Sequence, residues 1–203
     1  MFLELLKPYG YMRTPTRGRK KKTAAAAAAV QYSTLSHVDD KGNARMVDVG
    51  NKASTKRRCT AVCSVYFSNP DVTRLIEANS MAKGDVLGVS RVAGIMAAKK
   101  CSDIIPLCHN IPISQVTVDL KVHHDEGGRD SSGRGDENGG SSSSRVDIEA
   151  TVTTHGQTGV EMEALTAVMG ASLTLYDMCK AVDRHIRIDG TRVISKTGGK
   201  HDF

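Results

Sequence analysis

The sequence predicts an α+β domain: a mostly antiparallel sheet with helices on one face, in a split βαβ order. Three observations carry that expectation. Period-two alternation marks four segments, helical periodicity marks three others, and they follow one another as strand, helix, helix, strand, strand, helix, strand. The alternative is a helix-covered sheet of another topology.

The first strand is RCTAVCSVYF, from about Arg58 to Phe67. Pro70 then opens a short helix, DVTRLIEANS, with Val72, Leu75 and Ile76 inward. A second helix runs from Asp85 to Lys100 despite Gly88 and Gly94, and its small residues suit close packing against a sheet or a neighbouring helix. It ends in paired lysines, as the helix dipole favours. Two strands follow, ISQVTVDLKV and RVDIEATVTTHG, separated by DEGGRDSSGRGDENGGSSSS. That stretch, about 125–144, has almost no residue able to offset the entropy of ordering its backbone. It reads as a disordered loop inserted into a hairpin, because closure entropy grows slowly with loop length. An interdomain linker is the weaker reading, since neither half alone holds both a helical layer and enough strands. Val160 to Val182 is a long third helix with no charged residue at thirteen consecutive positions between Glu163 and Asp177. A helix that apolar is expected to lie partly against another subunit. HIRIDGTRVISKT supplies the last strand.

The 203 residues suit one domain, 35–203, behind a basic extension, 1–34. With 39% hydrophobic residues and no tryptophan, the core must be Ala, Val, Ile, Leu and Met. The formal charge of +6 is concentrated at the beginning. Residues 1–30 hold seven Lys/Arg against Glu4, and from Gln31 onward 21 basic residues balance 21 acidic ones. The body therefore has no field for nucleic acid, and any anion must be gripped by a few placed cations. The extension reads as disorder or as a targeting segment. An odd count of five cysteines and no secretory apolar region point to a reducing intracellular compartment, with cytoplasm and mitochondrial matrix both open. No membrane span is expected. Cys59 and Cys63 are four apart, Cys101 and Cys108 seven, and no CxxC pair exists, so neither a metal site nor another cofactor is expected.

Polar residues beside apolar runs are the candidates for chemistry. Lys83 precedes Gly84 and Asp85, where Asp85 suits a helix N-cap and a nearby lysine suits an anion clamp; a solvated surface lysine is the competing reading. His109 leaves the apolar turn IIPLCHN and suits phosphate contact or proton relay, against a purely structural histidine. In GQTGVEMEALTA, Thr158 or Gly159 can start the helix, with Glu161 and Glu163 in its first turn. Residues two apart point to different faces, so both need not enter one cleft. Asp177 and Lys180 share a face, which reads either as an ion pair tuning the lysine for acid–base work or as a bland surface pair. Fourteen residues, about 21 Å of helix rise, separate Glu163 from Asp177, so one subunit cannot easily bring both into one small pocket. Symmetry between subunits would. SKTGGK reads as a flexible anion-embracing tail or as a frayed end, and its spacing is not that of a Walker A loop.

With these residues collected, the chain resembles the MoaC family, the cyclic pyranopterin monophosphate synthases of molybdenum cofactor biosynthesis. The likeness runs from about Leu35 to Phe203 through MVDVG (46–50), KGDV (83–86), IPLCH (105–109), TGVEMEALTA (158–167), LYDMCKAV (175–182) and SKTGGK (195–200). The resemblance implies a ferredoxin-like subunit in a hexamer, a trimer of dimers, with active sites at dimer interfaces. It implies lyase chemistry that turns a purine-derived cyclised nucleoside triphosphate, (8S)-3′,8-cyclo-7,8-dihydroguanosine 5′-triphosphate, into cyclic pyranopterin monophosphate and diphosphate. By the same likeness Lys83 and Lys180 are catalytic with Asp177. His109, Cys108, Glu161, Met162 and Glu163 line the pocket, and Lys196 and Lys200 belong to a substrate-binding loop. The insertion, the basic extension and the short HDF ending depart from the family pattern. A rival reading, an RNA-binding module on the same frame, needs exposed aromatics on the central strands, and residues 113–122 and 146–156 contain none.

Overall fold

The computed structural model describes residues 37, 39, 41–124 and 144–203. The basic extension at 1–34 and positions 125–143 of the insertion lie outside the described residues. The element order is β1 (Thr55–Tyr66), α1 (Asp71–Glu77), α2 (Val86–Lys99), α3 (Cys101–Ile104), β2 (Ile113–His123), β3 (Arg145–Gly156), α4 (Glu161–Cys179) and β4 (Arg187–Thr197). The strands line up as β2-β3-β1-β4, and every neighbouring pair is antiparallel. This is the ferredoxin-like arrangement: β3 fills the gap between β1 and β2, which makes the βαβ unit split. The mostly antiparallel sheet of the sequence reading is wholly antiparallel among these strands. β2 and β3 pair directly from Ile113↔Thr154 to His123↔Arg145, so the insertion falls in a hairpin.

Strand alternation separates the two faces. Cys59, Ala61, Cys63 and Val65 of β1, with Val146, Ile148, Ala150 and Val152 of β3, are at most 1% exposed and lie under the helices. Ser64, Tyr66, Arg145 and Asp147 fall on the opposite, polar face. Short side chains predominate on the inner face, so the helices gain area by packing closely.

α2 and α4 pack together in that layer. A Cβ added at Gly94 would sit 2.9 Å from the Ala167 carbonyl oxygen and 3.2 Å from the Ala171 Cβ. One added at Gly170 would lie 2.4 Å from the Ala97 Cβ. The glycines are there because the helices approach too closely for any side chain at those points. This contact alters the expectation for the uncharged helix. α4 buries Ala164, Ala167, Val168, Ala171, Leu175 and Met178 within its own subunit. Among the described residues, uncovered apolar groups sit as much on α2, where Val89, Val92 and Met96 are 47–58% exposed, as on α4, where Leu173 is 58% exposed.

Of the boundaries that differ from the sequence reading, two lie near the polar residues singled out above. The chain after α2 makes the extra short helix α3, its turn closed by the Ile105 N–H donating to the Cys101 carbonyl at 2.9 Å. α4 begins two residues later than a start at Thr158 would allow and one later than a start at Gly159: Val160 is its N-cap and supplies no side-chain bond. Two carboxylates in the first turn meet the positive helix end instead of a capping hydroxyl.

Candidate functional site

The C-terminal end of α4 joins two distant segments. α1 ends at Ala78, with Asn79 in the left-handed region, and the chain then turns through Met81–Gly84, closed by the Gly84 N–H donating to the Met81 carbonyl. Met81 is buried and anchors this turn, while Gly84 takes φ +87. Asp85 caps α2 as expected, its carboxylate accepting from the Gly88 N–H at 2.8 Å. The turn delivers Lys83 to the end of α4. Its Nζ donates to the Asp177 carbonyl at 2.9 Å and to Asp177 Oδ2 at 2.6 Å. The ammonium thus satisfies a helix-end carbonyl that has no partner within the helix. Lys180 Nζ meets the other oxygen, Asp177 Oδ1, at 2.6 Å.

One carboxylate therefore bridges two ammonium groups, all about half exposed. The Lys180 and Lys83 contacts hold the Asp177 carboxyl down at about 2, so it is ionised at any working pH. Asp177 raises the Lys180 pKa above the ordinary lysine value. Of the two readings the sequence allows for this pair, a tuned lysine or a surface ion pair, either leaves Lys180 more firmly cationic in the subunit.

The other end of α4 forms a cleft of about 300 Å³ lined by Val47, Lys52, Cys108, His109, Glu161, Met162 and Glu163, among others. The expected side chains of the TGVEME and IPLCH segments do meet here. Although two residues apart, Glu161 and Glu163 both reach the cleft wall, Glu161 at its rim and Glu163 deep inside. Glu163 is 3% exposed, and burial raises its carboxyl above the usual range. Burial also raises the thiol of Cys108 and pushes the neighbouring Cys101 up to about 12. These thiols are neutral. His109 Nε2–H donates to the Val47 carbonyl at 2.8 Å, which fixes the tautomer and leaves Nδ1 as the atom available to a ligand. Thr154 holds the same segment to the sheet, its hydroxyl donating to the Pro112 carbonyl at 2.7 Å.

Beside this cleft is a second recess lined by Arg57, Arg58, Glu161, Lys196, Gly199 and Lys200. Lys196 Nζ lies 3.1 Å from Glu161 Oε1, so Glu161 joins the two recesses. The expected flexible tail is a closed loop. Gly198 takes φ +85, its carbonyl accepts from the Thr55 hydroxyl at 2.7 Å, and a Cβ there would lie 2.0 Å from the Lys56 carbonyl oxygen. The HDF ending does not loosen this loop. Phe203 pairs with Lys196 through both backbone groups.

The predicted residues thus fall into two sets at opposite ends of α4: Lys83, Asp177 and Lys180 at one, and His109, Cys108, Glu161, Met162, Glu163, Lys196 and Lys200 at the other. Sequence reasoning missed Lys52, Arg57, Arg58 and Gln157. The Gln157 amide donates to the carbonyls of Gly50 and Lys52 at 3.0 Å each and so ties the MVDVG segment over the cleft. The KRRC run was a usable signal for the arginines, a block of positive charge at the start of β1 whose side chains alternate between the two faces of the sheet. A larger concavity, about 840 Å³, lies on the polar face of the sheet and contains none of the predicted residues. Within it Asp147 accepts from Arg145 Nε at 3.0 Å and from the Ser64 hydroxyl at 2.7 Å.

Fold and side chains together define a ferredoxin-like α+β domain with lysine clusters at the two ends of one helix. The MoaC family model matches residues 46–199, well over half of the chain. The "Cyclic pyranopterin monophosphate synthase" of Chloroflexus aggregans is 51% identical over 166 residues, 82% of this chain and 90% of that protein. The protein of the same name from Thermoanaerobacter pseudethanolicus is 46% identical over 166 residues, 82% of this chain and 94% of its own length. "Molybdenum cofactor biosynthesis protein 1" of Drosophila melanogaster is 46% identical over 198 residues, 98% of this chain, and the chain spans 31% of that longer protein. The chain belongs to the MoaC family.

Proposed function

We propose that this chain is a cyclic pyranopterin monophosphate synthase acting in molybdenum cofactor biosynthesis. The observation that carries the reading is the Asp177 carboxylate bridging Lys83 and Lys180, in a chain that the family model matches through both ends of α4. The substrate is a 3′,8-cyclised dihydro-GTP and the products are cyclic pyranopterin monophosphate and diphosphate. A ribose hydroxyl oxygen bonds to the α-phosphorus, the bond from that phosphorus to the diphosphate oxygen breaks, and the hydroxyl proton passes to a base. Proton transfers also open and rebuild the purine-derived ring.

Lysines suit this work because an ammonium both neutralises polyphosphate and donates a proton. Asp177 keeps Lys180 protonated, so Lys180 is the proton donor in this scheme. Lys196, Lys200 and His109 Nδ1 serve as phosphate contacts. Glu163, whose burial favours the neutral acid, is suited to a hydrogen bond with the purine-derived ring. The roughly 21 Å between the ends of α4 supports a site shared by two subunits, one giving the Lys83–Lys180 end and its partner the cleft. The exposed Val89, Val92 and Met96 of α2 offer apolar surface for such an assembly, a hexamer built as a trimer of dimers.

The test is product formation from the cyclised nucleotide by the Lys180→Ala variant, followed by chromatography. A loss of at least a hundredfold in kcat is expected, with the circular dichroism spectrum unchanged. Turnover near that of the unsubstituted chain excludes the assigned role.

A further inference from the structure

Phe203 is 64% exposed, so burial does not explain where its ring lies. The chain turns back after β4 and pairs with it once more. The Lys196 N–H donates to the Phe203 carbonyl at 2.7 Å, and the Phe203 N–H donates to the Lys196 carbonyl at 3.1 Å. These two bonds close a ring of chain around Gly198–Asp202. Inside it the Gly199 N–H donates to Asp202 Oδ1 at 3.3 Å. The pairing also sets the aromatic face 5.3 Å from Lys196 Nζ, within cation–π range. The same ammonium meets Glu161 at 3.1 Å. Lys196 is therefore held between a carboxylate and an aromatic face, at the mouth of the recess that Arg57 and Lys200 also line.

We propose that Phe203 is a positioning residue: its ring and backbone latch the loop after β4 and aim the Lys196 ammonium for a polyphosphate. This inference deepens the proposed function and rests on Lys196 being a phosphate contact there. A lysine head on four rotatable bonds otherwise samples many positions, and ordering it only when the anion arrives weakens binding. An aromatic face holds the ammonium by its quadrupole without competing as a second anion, so the charge stays available to phosphate.

The distinguishing variants are Phe203→Ala, Phe203→Leu and Phe203→Tyr in the whole chain. The readouts are turnover of the cyclised nucleotide and calorimetric titration with inorganic pyrophosphate. An exposed cation–π contact corresponds to about a two- to fivefold change in an equilibrium constant. Phe203→Ala and Phe203→Leu should each raise KM and weaken pyrophosphate binding by about that factor, with kcat nearly unchanged. Phe203→Tyr should restore both. In a Lys196→Ala background, Phe203→Ala should add nothing. Full recovery by Phe203→Leu would show that only apolar bulk matters, and additive losses in the double variant would show that the ring does not act through Lys196; either overturns the proposal. An unsubstituted chain that fails to turn over the nucleotide counts against the function. One that turns over while Phe203→Ala matches it counts against the latch alone.

Discussion

Asp183 carries a prediction that links the lysine end of α4 to the stability of the fold. It lies just beyond α4, is 3% exposed, and accepts four hydrogen bonds. The Ser68 N–H and hydroxyl reach it at 2.6 and 2.7 Å, the Asn69 N–H at 3.1 Å and the His185 N–H at 2.8 Å. It thereby ties the β1–α1 loop to the chain that carries Lys180. Asp183→Ala leaves these donors facing a space that cannot accept from them. Hydrogen bonds to a charged acceptor contribute about 1.5–3 kcal/mol each, but water and relaxation recover part of the loss. The expected destabilisation is about 3–5 kcal/mol. For a chain of this size that lowers Tm by roughly 6–20 °C. The pH dependence has a definite sign. The Ser68, Asn69 and His185 donors outweigh burial and hold the Asp183 carboxyl below its usual value. Its contribution is therefore full above the unfolded value of about 3.9 and is lost as pH falls through the lower folded value. The gap in Tm between variant and parent should be widest near neutrality and narrow in acid. Urea and thermal unfolding between pH 3 and pH 7 measure it. A variant within about 2 °C of the parent near neutral pH would refute the reasoning.

Two other outcomes follow from the site. Asp177→Asn removes the carboxylate that raises the Lys180 pKa, so the alkaline limb of kcat/KM should move to lower pH, and an unmoved limb argues against Lys180 as the titrating acid. If opposite ends of α4 from two subunits complete one site, inactive Lys180→Ala and His109→Ala chains should regain activity when co-expressed. Failure to regain any while mixed oligomers form would place the whole site within one subunit.

Much of this architecture is legible in the residues themselves. The alternation of Cys59, Ala61, Cys63 and Val65, and of Val146 through Val152, is fixed by the two-residue repeat of a strand, so the buried face could be named from sequence. The helices follow from their apolar spacing, and Gly94 signals a close crossing because no other residue occupies so little space. The reading failed where a neighbour distant in sequence decides. The start of α4 is one such place, since Glu161 meets Lys196 from β4 and no hydroxyl caps the helix. Lys52 and Gln157 gave no local sign of sharing a site with residues 108–109 and 161–163.

The sequence by itself determined the order of elements apart from α3, which strand faces are apolar, and the family, because these depend on local periodicity and on long matched motifs. Only the tertiary structure decided that one carboxylate serves both Lys83 and Lys180, that it raises the Lys180 pKa, and that Phe203 returns to close the loop around Lys196. Those are consequences of pairing across the chain. Charge acts over a few ångströms of space, and the number of residues between two groups does not measure that distance.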